Sequence, residues 1–169
     1  MIYPKSMTSI PGINKQSLLL RNTQGLLLRN KPLIVVGDTD GLIAILHEED
    51  LHHQKAVETV AKLLAHDAQT VFPLTTITET ITTLIRKLNQ PDLAERVVKQ
   101  ITSGALTIEN IDTDMLQEAL KVFDPKSSKK KTIFDAMVVA TAKKLDSNVI
   151  FSTDNWYSKL GFTLAMNLF

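Results

Sequence analysis

The sequence predicts an α/β protein, a three-layer α/β/α sandwich around a mainly parallel sheet of about five strands. From residue 32 onward, short apolar runs alternate with amphipathic helical patterns. A helix between two strands carries the chain back across the sheet, so this alternation favours right-handed crossovers and helices on both faces. The length of 169 residues also suits a single folded domain.

Five apolar runs are predicted to be the strands. They are LIVV (33–36), TVFPL (70–74), ALTIENI (105–111), NVIF (148–151) and FTLAM (162–166). Pro73 has no backbone N–H to donate within a sheet, so the second strand is expected to be an edge strand or to end there.

Helical patterns fill the intervals between these strands. They lie near 41–47, 53–66, 77–89, 92–102, 113–123 and 133–145. The third pattern is the clearest, because its apolar residues recur on one stripe, namely Ile77, Ile81, Leu84, Ile85 and Leu88. Together with the strands, these helices complete the predicted alternation.

Residues 1–31 have a different character from the rest of the chain. They contain two prolines and the near-duplicates QSLLLRN and QGLLLRN, which are too few for a repeat architecture. We expect an N-terminal extension over 1–31 and the folded domain over 32–169.

Composition excludes several classes of protein. Cysteine is absent, which excludes thiol catalysis and thiolate zinc sites. The net charge is only +1, so any affinity for nucleic acid must come from a local basic patch. The three histidines in HEEDLHHQKA (47–56) lack the spacing of a zinc motif and are assigned to a connection between helices. No apolar run is long enough for a membrane span or a signal peptide, so we expect a cytoplasmic protein without membrane contact.

Acidic residues follow four successive predicted strands. Asp38 and Asp40 follow the first strand, and Glu79 opens the helix after the second. Asp135 opens the helix after the third strand, and Asp154 follows the fourth. Ligands of open α/β sheets bind outside the carboxyl ends of the strands, where the strand order reverses. The sequence therefore predicts that these acids converge at one edge of the sheet.

Helix capping offers another explanation for some of these acids. Thr132 and Asp135 have the spacing of a capping box. Thr76 and Glu79 have the same spacing, and Asp154 would cap the short segment after it. Capping does not explain why acids follow four strands in a row. Converging carboxylates repel one another, and an oxygen-only set favours Mg²⁺ or Mn²⁺ over zinc.

Four segments resemble the acidic motifs of PIN-domain nucleases, including the VapC-like toxins of type II toxin–antitoxin modules. They are IVVGDTDGLIAIL, TTITETITTLI, FDAMVVATAKKL and VIFSTDNWYSKLG, and the resemblance covers about 32–165. It implies a PIN-like parallel sheet between helices and a pocket that uses Mg²⁺ or Mn²⁺ to hydrolyse phosphodiester bonds of single-stranded RNA. Gly37 departs from the family pattern, in which an apolar residue is more usual.

The resemblance assigns roles to individual acids. Asp38, Glu79, Asp135 and Asp154 match the four acidic positions of the family, and Asp40 matches a position that is often polar. The three aspartates of that four-residue set would bind the metal directly or through water. Glu79 would be a further ligand or would orient the attacking water.

Polar and basic residues near the acids are predicted to help to hold RNA. Ser152 and Thr153 would hold a metal-bound water or a phosphate oxygen. Lys129, Lys130 and Lys131 end a basic loop just before Asp135 and would contact the RNA backbone, unless the loop is simply a solvated segment. As further partners, the resemblance implies an antitoxin protein and a second copy of the chain in a homodimer.

Two alternative functions are compatible with the sequence. VVGDTDGL imitates the Asp-x-Asp-Gly motif of haloacid-dehalogenase-like phosphatases, with Asp38 as nucleophile and Asp40 as acid/base. That motif usually has Thr or Val where this chain has Leu42, and STDNW lacks the later pair of spaced acids. The other alternative is a non-catalytic PIN-like module that binds RNA or protein.

Overall fold

A computed structural model describes residues 32–128 and 131–169 and contains a five-stranded, all-parallel sheet. The strands are β1 (Ile34–Gly37), β2 (Gln69–Pro73), β3 (Thr107–Glu109), β4 (Val149–Phe151) and β5 (Thr163–Leu164), in the spatial order β3-β2-β1-β4-β5. All five predicted strands are present, and the predicted fold class is confirmed.

Within the described residues, seven helices connect and flank these strands. They are α1 (Thr39–Leu46), α2 (His53–Ala65), α3 (Leu74–Arg86), α4 (Pro91–Thr102), α5 (Thr113–Leu120), α6 (Ile133–Lys144) and α7 (Trp156–Lys159). A 3₁₀ turn at Ala165–Asn167 follows β5. None of the helices in the described part of the chain is long and apolar enough to span a bilayer.

Both faces of the sheet are covered by helices. Val35 and Val36 are neighbours in β1, and neither is accessible to solvent. Val35 packs with Ala44 of α1 and Leu63 of α2, whereas Val36 packs with Val139 of α6. Because successive strand residues point to opposite faces, these contacts place helices on each side of β1 and produce the three layers.

The strand order reverses between β1 and β4. The chain builds β1, β2 and β3 outward in one direction and then returns to place β4 on the other side of β1. Gly37 pairs with Phe151 in the β1–β4 register, so the residues that follow these two strands lie side by side. This reversal is the position where open parallel sheets bind their ligands.

Helix α3 differs from the prediction. It begins at Leu74, directly after Pro73, rather than near residue 77. Glu79 is therefore well inside the helix, and the predicted capping box with Thr76 is wrong. The hydroxyl of Thr76 donates instead to the carbonyl oxygen of Gly37, at 3.3 Å. Of the two positions predicted for Pro73, the strand end is correct and the edge is wrong, because β2 lies between β1 and β3.

Two parts of the predictions lie outside the described residues. The N-terminal extension at 1–31, with its two LLLRN copies, belongs to this undescribed part of the chain. Lys129 and Lys130 of the basic loop also lie outside the described residues, whereas Lys131 is described. The division into 1–31 and 32–169 stays a prediction.

Candidate active site

Asp38 lies at the centre of the acidic edge. It follows β1 and caps α1, and its Oδ1 accepts a hydrogen bond from the backbone N–H of Thr39 at 2.7 Å. Its Oδ2 accepts from the hydroxyl of Tyr157 at 2.8 Å and from that of Ser152 at 3.3 Å. Its own backbone N–H donates to the carbonyl oxygen of Phe151 at 3.1 Å, which joins the end of β1 to the end of β4.

The environment of Asp38 disfavours its ionised form. Only 5% of the residue is exposed. Burial is the largest influence on its pKa, and together with the negative charges of Asp40 and Asp135 it raises that pKa well above the usual value. The hydrogen bonds from Tyr157 and Thr39 oppose this rise. Asp38 is thus a buried carboxylate with negative neighbours, and a cation would stabilise its charge.

Glu79 reaches the same region from α3. The hydroxyl of Thr39 donates to its Oε2 at 2.6 Å, which ties α3 to the first turn of α1. Burial is the main cause of a raised Glu79 pKa, and the charges of Asp135 and Asp40 raise it further, whereas the hydrogen bond from Thr39 lowers it. Glu79 is therefore close enough to Asp135 and Asp40 for their charges to act on it.

Asp135 forms a capping box at the start of α6. The backbone N–H of Thr132 donates to Asp135 Oδ2 at 2.5 Å, and the Thr132 hydroxyl donates to the same oxygen at 2.9 Å. The Thr132 hydroxyl in turn accepts from the backbone N–H of Phe134. The predicted capping box is confirmed. Asp135 also influences Asp38 and Glu79 electrostatically, so capping and membership of the acidic cluster coexist in one residue.

Asp154 is paired with a basic residue. Lys131 Nζ forms a salt bridge with Asp154 Oδ2 and lies 5.3 Å from the centre of the Trp156 ring. The backbone N–H of Trp156 donates to Asp154 Oδ1 at 2.8 Å. Burial acts to raise the pKa of Asp154, but the hydrogen bonds from Lys131 and Trp156 outweigh it, so the pKa lies below the usual value. Lys131, which was predicted to contact RNA, is engaged here with an acid of the site.

Asp40 and Thr153 connect the loops that follow β1 and β4. The backbone N–H and the hydroxyl of Thr153 both donate to Asp40 Oδ2, the former at 2.8 Å. Asp40 Oδ1 accepts from the backbone N–H of Gly41 at 2.7 Å. Both carboxylate oxygens of Asp40 therefore stabilise the loop geometry of the site.

Ser152 and Tyr157 are buried below the acids. The hydroxyl of Ser152 donates to Asp38 and accepts from the backbone N–H of Asp154 at 3.0 Å, so one side chain links both aspartates. Tyr157 is fully buried, and burial together with the adjacent Asp38 raises its pKa. The contacts of Thr39 and Tyr157 were not predicted. Thr39 could have been suspected from its place in the first turn after Asp38, but no local pattern marks Tyr157.

Two glycines allow the backbone to approach closely around Asp38. A Cβ at Gly37 would lie 2.1 Å from the Phe72 ring, and a Cβ at Gly41 would lie 2.4 Å from the carbonyl oxygen of Phe151. Neither distance is possible for a real side chain. The space that an apolar residue would need at position 37 is occupied by Phe72, which explains why this chain has glycine there.

The donor chemistry of the acidic edge fits a hard divalent cation. Its side chains supply oxygen ligands, and Asp38 is destabilised as an anion by burial and by its neighbours. Within residues 32–128 and 131–169, however, no three histidine, aspartate or glutamate side chains are grouped so that they could hold a metal ion. In this structure Asp135 accepts from Thr132, and Asp154 is paired with Lys131.

We expect Asp38→Asn to stabilise the metal-free protein at neutral and higher pH. A carboxyl whose pKa is raised by folding contributes stability below its unfolded pKa, near 4, and loses that contribution as the pH rises through its folded pKa. Chemical unfolding from pH 4 to 8 would measure this, with a shallower decline for Asp38→Asn than for wild type. The matched control is Asp112→Asn. The backbone N–H of Met115 is the main cause of the lowered Asp112 pKa, so this variant should lose stability at neutral pH. Parallel curves for wild type and Asp38→Asn would contradict the prediction.

The chain is similar to a known protein family and to a solved structure. A sequence model of the PIN domain matches residues 35–162. Among solved structures, the chain is similar to the Mycobacterium tuberculosis toxin VapC20, which is described as cleaving the sarcin-ricin loop. The two share 19% identity with a TM-score of 0.67, over 76% of this chain and 96% of that one, which shows a common fold. No curated protein matches the sequence.

Proposed function

This chain belongs to the PIN domain family, and from that premise we propose that it is a divalent-metal-dependent endoribonuclease acting on single-stranded RNA. The observation that carries the proposal is the buried Asp38 carboxylate at the strand-order reversal, where the negative charges of Asp40 and Asp135 act on it. The same two charges act on Glu79. Burying one ionised carboxylate close to other carboxylates is unfavourable unless a cation neutralises part of their charge. The direct test is cleavage of a single-stranded RNA with Mg²⁺ or Mn²⁺, which should stop in excess EDTA.

The acids would act together on one phosphodiester bond. Asp38, Asp135 and Asp154 would hold the ion, and Glu79 would complete the ligand set or orient water. When bound, a divalent ion lowers the pKa of the attacking water and neutralises charge on the phosphoryl oxygens. Water would attack phosphorus and release a proton to the solvent, the bond to the leaving ribose oxygen would break, and that oxygen would take up a proton from the solvent.

The protein's own contribution is the arrangement of these side chains. Thr39 holds Glu79 toward the first turn of α1, while Ser152 links Asp38 to the backbone of Asp154. Lys131 and a divalent ion would both be attracted to the Asp154 carboxylate, so binding of the ion would weaken the Lys131 salt bridge.

The basic loop is proposed to hold the RNA backbone. We expect Lys129→Ala/Lys130→Ala to weaken RNA binding about equally for all sequences and to reduce the salt dependence of affinity by about 0.7 per lost phosphate contact. Fluorescence anisotropy between about 50 and 200 mM salt would measure this slope. Lys99→Ala is the control, because Lys99 pairs with Glu95 in α4. A salt dependence of affinity equal to that of wild type would show that Lys129 and Lys130 make no contact with RNA phosphates. Testing Lys131→Ala separately would keep its pairing with Asp154 out of the comparison.

Neither alternative function gains support from the structure. A haloacid-dehalogenase-like phosphatase belongs to another family and requires Asp38 as an accessible nucleophile, whereas Asp38 is buried and accepts three hydrogen bonds. A non-catalytic module would not need several mutually repelling carboxylates at the ligand-binding edge. The nuclease accounts for both observations.

The proposal extends to partners and location. The fold shared with a toxin supports a role in a toxin–antitoxin module, with an antitoxin as partner. Leu116 and Leu120 of α5 are 41% and 52% exposed, and this apolar surface supports association of two copies. The cytoplasm, where single-stranded RNA is abundant, is the proposed site of action.

A further inference from the structure

Tyr157 connects the hydrophobic core to the acidic edge. Its ring is fully buried in the cluster that contains Val36, Val139 and Ile150. Its hydroxyl emerges from that cluster and donates to Asp38 Oδ2 at 2.8 Å. The ring is thus fixed by packing, and the hydroxyl at its tip has a fixed position relative to Asp38.

Three donors determine the orientation of the Asp38 carboxylate. The backbone N–H of Thr39 donates to Oδ1, while Tyr157 and Ser152 donate to Oδ2. The Tyr157 contact is 0.5 Å shorter than the 3.3 Å Ser152 contact, and short hydrogen bonds to an ionised acceptor are the stronger ones. A carboxylate has about four acceptor positions, so roughly one remains for a further ligand.

We propose that Tyr157 is a positioning residue whose hydroxyl holds the Asp38 carboxylate in the orientation from which it binds a divalent ion. This inference rests on the proposed function. Phenylalanine would fill the same space in the core, so packing alone does not require the hydroxyl. The hydroxyl of Tyr157 therefore acts through its hydrogen bond to the Asp38 carboxylate.

The test is Tyr157→Phe in the full chain, with Mn²⁺ alone as the probe. We expect the Mn²⁺ dissociation constant, measured from the electron paramagnetic resonance signal of free Mn²⁺, to rise about 10- to 100-fold, as for other residues that orient a metal ligand. The Mn²⁺ concentration needed for half-maximal RNA cleavage should rise by a similar factor. In an Asp38→Asn background, Tyr157→Phe should have no further effect on Mn²⁺ binding.

The matched control is Ser147→Ala. The hydroxyl of Ser147 is also buried, and it donates to the carbonyl oxygen of Ile34, at the opposite end of β1 from Asp38. This variant should lose thermal stability but bind Mn²⁺ like wild type. A purely structural role for the Tyr157 hydroxyl predicts the same pattern for Tyr157→Phe.

The outcomes separate this inference from the function on which it rests. Tight Mn²⁺ binding and RNA cleavage by wild type, with unchanged Mn²⁺ affinity in Tyr157→Phe, would overturn the positioning role alone. A wild-type protein that binds no Mn²⁺ would overturn both. If Tyr157→Phe does not fold, Tyr157→3-fluorotyrosine decides, since it keeps the buried ring and changes only the donor strength of the hydroxyl that contacts Asp38. Mn²⁺ affinity equal to wild type would then reject the inference.

Discussion

Asp135→Asn is expected to lower the rate of single-stranded RNA cleavage at least about 100-fold while the protein stays folded. Changes to residues that merely orient a metal ligand cost about 10- to 100-fold, and removal of a ligand should cost as much or more. Asparagine has almost the shape of aspartate and keeps one oxygen that can accept from Thr132, so the start of α6 should persist. Cleavage of a fluorescent single-stranded RNA in Mg²⁺ or Mn²⁺ would measure the loss.

Asp112→Asn is the control for this variant. Asp112 caps α5 through a 2.8 Å hydrogen bond from the backbone N–H of Met115, so its replacement disturbs a helix start without removing a carboxylate of the candidate site. It should keep cleavage near the wild-type rate. Undiminished cleavage by Asp135→Asn, or by wild type in excess EDTA, would reject the metal-dependent mechanism.

Gly41→Ala is expected to destabilise the protein by about 1–3 kcal/mol and to impair cleavage. Its Cβ would meet the carbonyl oxygen of Phe151 at 2.4 Å, so either α1 or β4 must move. Alanine favours a helix over glycine by about 1 kcal/mol, and the clash must exceed this gain for the prediction to hold. Because Asp38 is the N-cap of α1, displacement of the helix also changes the position of that carboxylate.

Chemical unfolding and the RNA cleavage assay together test Gly41→Ala. Gly104→Ala is the control, because Gly104 has φ +70° and open space around its missing Cβ. Its replacement should cost stability through backbone strain and leave cleavage unchanged. A Gly41→Ala protein with wild-type stability and activity would show that α1 and β4 do not need their close contact.

The Gly37 site offers a contrasting case. A Cβ there would collide with the side chain of Phe72 rather than with backbone, and a smaller residue at position 72 would relieve the collision. No side-chain change can make room at Gly41 in the same way, because its obstacle is a carbonyl oxygen. For this reason Gly41 has the larger expected effect on the site.

The sequence by itself determined the layers of the fold and the edge at which the acids meet. Strands and helices have different apolar periods, so each element could be recognised from residues close together in the chain. Parallel strands share a direction, so acids after successive strands must reach the same edge whatever the strand order. The capping box of Thr132 and Asp135 was also predictable, because its partners are three residues apart.

Only the tertiary structure decided which groups the acids contact. Asp38 accepts from Tyr157 across 119 residues of sequence, Asp40 accepts from Thr153 across 113, and Asp154 pairs with a lysine predicted to contact RNA. Such pairs depend on the order of strands and on how closely α1 approaches β4. Neither can be predicted from the spacing of apolar residues along the chain. Helix α3 shows the same limit, since its start directly after Pro73 moved Glu79 from a capping position to the interior of the helix. Local patterns arise from neighbouring residues, whereas charge and hydrogen-bond partners at the site arise from packing between distant ones.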